Sequence, residues 1–255
     1  MKNIINNIKG EIQIAFYLAY SDTRARYSRS LLGPLWLVFG TLIGVWGLGL
    51  IWSNFFGIER KDFIPQLTMG YILWFYISGV ISDSSGLYIR NNALIKNTPT
   101  LLWRLNFELL LRHFINLIHN LLVLLIVLLT YNSEIDWVML SSLVGFLVLS
   151  IALFFVSIII SILGARYKDI EPLISAVMPI IFFLSPIIIS TKQQVLATYF
   201  KFNPITHYLA IVRDPFFMSL PSLESVITCA TLTLIIAIAA VYLYSMNSDE
   251  VAYWV

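Results

Sequence analysis

Cys229 is the single cysteine in 255 residues, which excludes an internal disulfide and any multi-cysteine metal site. Charge is scarce as well. Asp, Glu, Lys and Arg make up 12% of the chain against 59% hydrophobic residues, a balance outside the range of soluble globular domains. The formal net charge of +2, with no long basic run, gives nucleic acid no footing. There is no GxxxxGKS/T loop to cradle nucleotide phosphates, no HExxH pair and no GxSxG elbow. Soluble-enzyme chemistry is therefore disfavoured, and no cofactor motif or metal-ligand set is present.

What the chain does have is long uncharged runs. Six stretches without Asp, Glu, Lys or Arg, at 30–58, 63–82, 113–133, 137–165, 172–191 and 225–248, are each long enough for a helix across a bilayer core. They predict an all-α membrane protein, one domain over 1–255, with spans at about 34–56, 63–84, 105–131, 138–163, 171–190 and 224–246. Runs such as LLVLLIVLL lack the alternation of a barrel strand. A removable signal peptide is disfavoured, because about thirty residues with their own helical pattern precede the first run.

In that leading segment, 1–29, Ile4, Ile5, Ile8, Ile12, Ala15, Phe16 and Ala19 share one helical stripe. The pattern predicts an amphipathic helix too polar to span, lying on the membrane surface, packed on the protein, or both. Arg24, Arg26 and Arg29 follow, then a Gly-Pro corner and the first apolar run from Leu35. Guanidinium groups are costly in hydrocarbon and that run is costly in water, so Arg24 to Trp36 marks a boundary between solvents. Gly40 and Gly44 in the first span have a spacing that permits close helix contact.

Counting Lys and Arg on alternating sides gives eleven against five, which places both termini on the cytoplasmic side. The 83–112 connection then becomes a cytoplasmic helical excursion broken at Pro99, and Glu108 is spaced to pair with Arg104 or Arg112. His113 and His119 lie in the third span without a carboxylate in that span to complete a relay. Pro179 and Pro186 interrupt the fifth span, freeing carbonyls that need partners inside the protein. The external stretch 192–222 is too rich in Tyr and Phe for a solvated loop. It predicts two short helices, re-entrant or interfacial, separated near Asn203 and Pro204. Trp36, Trp46, Tyr71, Trp74 and Tyr76 give the first two spans flat aromatic faces suited to sugar rings, or to an interfacial belt.

RYSRSLLGPLW at Arg26 to Trp36, NNALIKNTP at 91–99, ARYKDIEPLI at 165–174, FLSPIII at 183–189 and the Asn203, Pro204 and Arg213 pattern follow one another in order. In this the chain resembles the membrane subunit of ABC-2 type polysaccharide exporters, which serve lipid-linked O antigens, capsules and teichoic acids. The resemblance implies a homodimeric permease of the bacterial inner membrane working with two copies of a separate ATPase subunit that binds ATP and Mg. The cargo it implies is undecaprenyl-pyrophosphate-linked polysaccharide, foremost O antigen. It also implies roles for particular residues. Arg24, Arg26 and Arg29 would meet the lipid head group. The first and fifth spans would line a channel at the dimer axis, with Trp36, Trp46, Tyr71, Trp74 and Tyr76 as candidate glycan contacts. Arg90, Asn91, Asn92, Lys96 and Pro99 would form a cytoplasmic gate and ATPase contact, and Asn203, Pro204, Tyr208 and Arg213 an external gate. An ABC-2 exporter of drugs or lipids shares the six-span plan. A polytopic enzyme acting on lipid-linked sugars is the alternative from another class.

Overall fold

A computed structural model describes residues 2–28, 30–98, 101–131, 136–188 and 200–255, with side chains from Lys9 onward. The described residues form helices and no strands. In order these are α1 (Lys2–Tyr27), α2 (Leu35–Phe56), α3 (Arg60–Ser85), α4 (Leu87–Arg90), α5 (Asn92–Asn97), α6 (Leu102–Thr130), α7 (Ser141–Arg166), α8 (Ile170–Leu184), α9 (Pro204–Arg213), α10 (Leu223–Asn247) and α11 (Val251–Trp254). Short 3-10 turns at Trp137–Leu140 and Asp214–Phe217 precede α7 and follow α9.

Local chemistry sets the ends. Pro34 immediately precedes α2, where its missing N–H costs nothing, and Gly57 ends that helix in the left-handed region with φ 65°. Asn203 caps α9 by accepting from the Ile205 N–H at 3.0 Å, and Ser222 caps α10 by accepting from the Ser225 N–H at 3.2 Å.

Five helices are long and apolar enough to cross a membrane: α2, α3, α6, the turn plus α7, and α10. The run expected as the fifth of six spans, 171–190, is described only as far as residue 188. Among the described residues it is the 15-residue α8, about 22 Å long and short of a bilayer core. Pro172 sits in its first turn and Pro179 inside it. The helix stops at Ser185, extended as a residue before proline must be. Residues 189–199 lie outside the described residues, with much of the expected first external helix. Residues 200–202 are helical and Asn203 separates them from α9.

α3 is the axis of the bundle: 67% of its most apolar window is buried, against 22% for α2 and 11% for α10. Ile64, Leu67, Ile72, Leu73 and Val80 of α3 meet Val45 of α2, Val123 and Val127 of α6, Leu149 of α7 and Leu209 of α9 in one core. Two glycines allow close backbone approach. A Cβ at Gly164 would collide with the Ser85 carbonyl of α3, and one at Gly145 with the Ile211 carbonyl of α9. In α2, Gly44 packs against the Tyr71 ring and Gly49 against Ile64, while Gly40 faces open space. The close contact therefore runs through Gly44 and Gly49 rather than the Gly40–Gly44 pair.

α1 packs on α6. Ala15 and Ala19 are fully buried with Leu111, beside Phe107 and Ile115, whereas Phe16, Tyr17 and Tyr20 are exposed. The Arg104–Glu108–Arg112 pattern is used across helices. Arg104 reaches Glu11 of α1 at 3.0 Å and Arg112 reaches Asp22 of α1 at 3.8 Å. Docking α1 supplies carboxylates that spacing within α6 does not disclose.

Candidate functional site: two grooves flanking α3

The α3 face carrying Phe75, Ser78 and Ser82 borders two grooves. One, about 410 Å³, lies between α2, α3 and α6, with Trp36, Gly40 and Thr41 from α2 and His113, Asn116, Leu117 and Asn120 from α6. The other, about 490 Å³, lies between α3 and α8, with Tyr71 and Trp74 from α3 and Met178, Phe182 and Phe183 from α8. Helical periodicity builds both walls. On α3, positions 75, 78 and 82 share a face, and on α6 so do 113, 116 and 120.

The α3/α8 groove is aromatic. Tyr71 and Phe75 rings lie 4.7 Å apart, Trp74 and Phe182 5.6 Å, and Phe182 and Phe183 5.3 Å. The α2/α3/α6 groove is bordered by side-chain hydrogen bonds. Thr41 Oγ1 donates to Asn120 Oδ1 at 2.9 Å, and the Tyr76 hydroxyl contacts Ser150 Oγ at 3.2 Å. His113 Nε2 lies 3.0 Å from Asp83 Oδ2, and its ring is flush against Gly79. The carboxylate partner absent from the third span thus comes from α3.

Of the aromatic candidates, Trp36 and Tyr76 line the first groove and Tyr71 and Trp74 the second. Trp46 lines neither groove and is exposed on α2. Sequence reasoning passed over Ser78, Ser82, Asn116 and Asn120. The available signal was the polar run His113, Asn116 and Asn120 at helical spacing in an otherwise apolar stretch.

At one end of the grooves the chain is heavily tied. Arg90 pairs with Glu171 Oε1 at 3.2 Å and also donates to the Asp83 carbonyl, joining α4 to α8 and α3. The Tyr88 hydroxyl donates to Asn106 Oδ1 at 2.6 Å, and Asn106 Nδ2 donates to Ser161 Oγ at 2.9 Å and Ser157 Oγ at 3.2 Å. Burial pushes the Tyr88 phenol well above its ordinary range, with Tyr244 adding to the effect, so it remains a donor. Asn91 Nδ2 donates to the Leu87 carbonyl at 2.8 Å, while Asn92 and Lys96 are exposed and Pro99 lies outside the described residues. Arg24 and Arg26 are exposed in the last turn of α1, where cations suit the helix dipole. Arg29 lies outside the described residues.

At the other end, α9 serves α8. Asn203 Nδ2 donates to the Leu184 carbonyl and to Ser185 Oγ, both at 3.1 Å, and Arg213 Nη1 donates to the Pro186 carbonyl at 2.6 Å. These are the partners that carbonyls at a proline-broken helix end require. Burial lowers the Arg213 guanidinium and raises the Asp214 carboxyl, each opposed by the other across 3.6 Å. Tyr208 docks on α10, its hydroxyl 2.8 Å from Thr233 Oγ1.

No protein-family profile matches the chain. The O-antigen export system permease protein RfbA of Klebsiella pneumoniae is similar to it, at 24% identity over 203 residues, 76% of this chain and 76% of the relative. With that permease as a distant relative and five helices able to span a bilayer, the chain is a multi-pass, all-helical membrane protein.

Proposed function

We propose that this chain is the membrane permease subunit of an ATP-driven ABC-2 exporter of lipid-linked polysaccharide, with lipopolysaccharide O antigen as its cargo. The observation that carries this reading is the pair of aromatic- and serine-lined grooves that flank α3. Sugar rings present C–H faces to aromatic side chains and hydroxyls to serines. A lining without strong point charges binds each ring loosely enough to let a polymer slide. The likeness to an O-antigen export permease supports the same cargo.

The remaining parts follow from this reading. A second copy of the chain closes the grooves: α2 exposes Ile43 and Trp46, and α8 exposes Leu173, Ile180 and Phe183, on faces that favour another apolar surface. Two copies of a separate ATPase subunit, carrying ATP and Mg, engage α4 and α5 through Arg90, Asn91, Asn92, Lys96 and Pro99. Both termini face the cytoplasm of a bacterial inner membrane, and the apolar run that holds α8 makes up the sixth crossing. Arg24, Arg26 and Arg29 receive the undecaprenyl pyrophosphate, because guanidinium forks match phosphate oxygens. Asn203, Pro204, Tyr208 and Arg213 belong to the external gate.

Deletion of the gene, with complementation, tests the assignment through surface glycan resolved on gels and through copurification with the co-expressed ATPase. Loss of surface glycan and a stable complex are expected. Normal surface polysaccharide in the deletion strain rejects the assignment. Replacing Arg24, Arg26 and Arg29 together by Ala should abolish export, and unchanged export would remove the head-group role.

A further inference from the structure

A further groove, of about 400 Å³, opens between α6, α7 and α10. Trp103 of α6, Phe154, Phe155 and Ile158 of α7, and Val241 and Tyr244 of α10 line it, so its side chains are apolar save for one indole N–H and one phenol hydroxyl. Trp103 and Tyr244 stand near the ends of their helices, at the depth where amphipathic rings meet the membrane interface. Phe154 and Phe155 stand at the middle of α7, which for a spanning helix is the middle of the bilayer. The groove therefore runs from the interface to the bilayer centre, and a hydrocarbon chain is what it suits.

Charge selects the kind of chain. Arg166 comes eleven positions after Phe155, three turns along the same face of α7 and roughly 16 Å farther along its axis. Half of a bilayer's hydrocarbon core is about 15 Å, so this spacing matches the distance from the bilayer centre to the head groups of one leaflet. The Arg166 side chain is exposed and makes no ion pair or hydrogen bond among the described residues. Its guanidinium lies instead over the rings of Trp254 at 5.2 Å and Tyr167 at 5.6 Å. Stacking orients the plane of the fork and leaves its N–H edge open to phosphate oxygens. Trp254 is itself held in place, since Val251 of α11 is fully buried in the core built by α4, α6 and α7. Other arginines at this end are engaged, Arg90 with Glu171 and Arg104 with Glu11. The exposed Lys168 adds a second cation beside Arg166.

We infer that α6, α7 and α10 hold a resident anionic phospholipid, with one acyl chain in this groove and its phosphate on the Arg166 guanidinium. The lipid belongs to the leaflet in which α7 ends. In the proposed orientation that leaflet is the cytoplasmic one, which carries the anionic head groups. Only this choice of side rests on the proposed function. The lipid is not the exported cargo, which that reading seats beside α3. Because Trp254 stacks on the same guanidinium, a phosphate there steadies the corner where α11 packs on α7 and α5.

Native mass spectrometry of the full chain in mild detergent tests it, with phosphatidylglycerol and phosphatidylcholine of identical acyl chains as probes and undecaprenyl phosphate as a third. Phosphatidylglycerol should form a discrete adduct, bind more tightly than phosphatidylcholine and raise the thermal unfolding midpoint. Arg166→Gln should weaken the phosphatidylglycerol adduct about tenfold, the loss of one charged hydrogen-bonded contact, and erase the preference. Arg166→Lys keeps the charge without the fork and should fall between. Val241→Trp fills the groove from an exposed position and should weaken both phospholipids alike. Arg60→Gln, at the exposed start of α3, is the control and should change neither. Lipid-free unfolding midpoints check that each variant is folded, and Arg166→Lys with Val241→Trp decides the matter if Arg166→Gln is not. Equal binding of the two phospholipids, or a loss with Arg60→Gln as large as with Arg166→Gln, overturns the proposal. So does phospholipid binding untouched by Val241→Trp. Displacement of phosphatidylglycerol by undecaprenyl phosphate assigns the groove to a carrier lipid and overturns a resident phospholipid. All of these outcomes leave the export assignment to be decided by the deletion strain.

Discussion

Tyr88, Asn106, Ser157 and Ser161 are all fully buried, and their hydrogen bonds tie α4 to α6 and α7. Tyr88→Phe leaves Asn106 Oδ1 without its donor in a site that water does not reach. It should cost about 1 to 3 kcal/mol, measured as thermal unfolding in detergent. A double-mutant cycle with Asn106→Ala should show coupling, and additive losses would mean the bond contributes nothing specific. Gly164→Ala and Gly145→Ala force a methyl against a neighbouring backbone carbonyl, and a further 1 to 3 kcal/mol or more is the usual cost of such overpacking. Gly47→Ala, where the added methyl meets open space, is the matched control and should leave the folded yield unchanged.

Among the elements, α9 and the end of α8 form one unit. Asn203 both caps α9 and holds Leu184 and Ser185, so Asn203→Ala should lose about 0.5 to 2 kcal/mol from the cap alone. It should also raise amide hydrogen exchange over 185–188, with α3 still protected. Equal protection in the variant would show that the capping bonds do not hold the segment. The NP pair and the distant Arg213 were legible in sequence as a pattern. Their physical task was not, because the carbonyls that Asn203 and Arg213 satisfy stand 19 and 27 positions away and meet them only after folding. α1 illustrates the same limit. Its stripe predicted a packed or surface helix, while its partner α6 and the Glu11 and Asp22 ion pairs depend on docking.

At the scale of the whole molecule, the proposed topology can be read by chemical labelling, since Cys229 is buried and should remain silent. Arg24→Cys and Tyr253→Cys should react with an impermeant maleimide only after the membrane is permeabilised, and Glu59→Cys should react in intact cells. The reverse pattern would sink the assigned orientation. The order of the spanning helices was readable because long uncharged runs have one low-energy fate in a bilayer. The length of α8 was less so: Pro186 was legible as an interruption, but a proline can kink a helix or end it, and here the helix ends just before it.

By itself the sequence determined that this is a helical, multi-pass membrane chain, where its charges cluster, and which aromatics and prolines stand out. Hydrophobic run length and residue chemistry act locally, so no partner is needed to read them. Only the tertiary structure decided that α3 is the axis, that Trp46 stands apart from the grooves while Phe75 lines both, and that Asp83 supplies the carboxylate for His113. Those outcomes depend on the rotation of each helix about its own axis, which packing against neighbours sets and one strand of sequence does not encode locally.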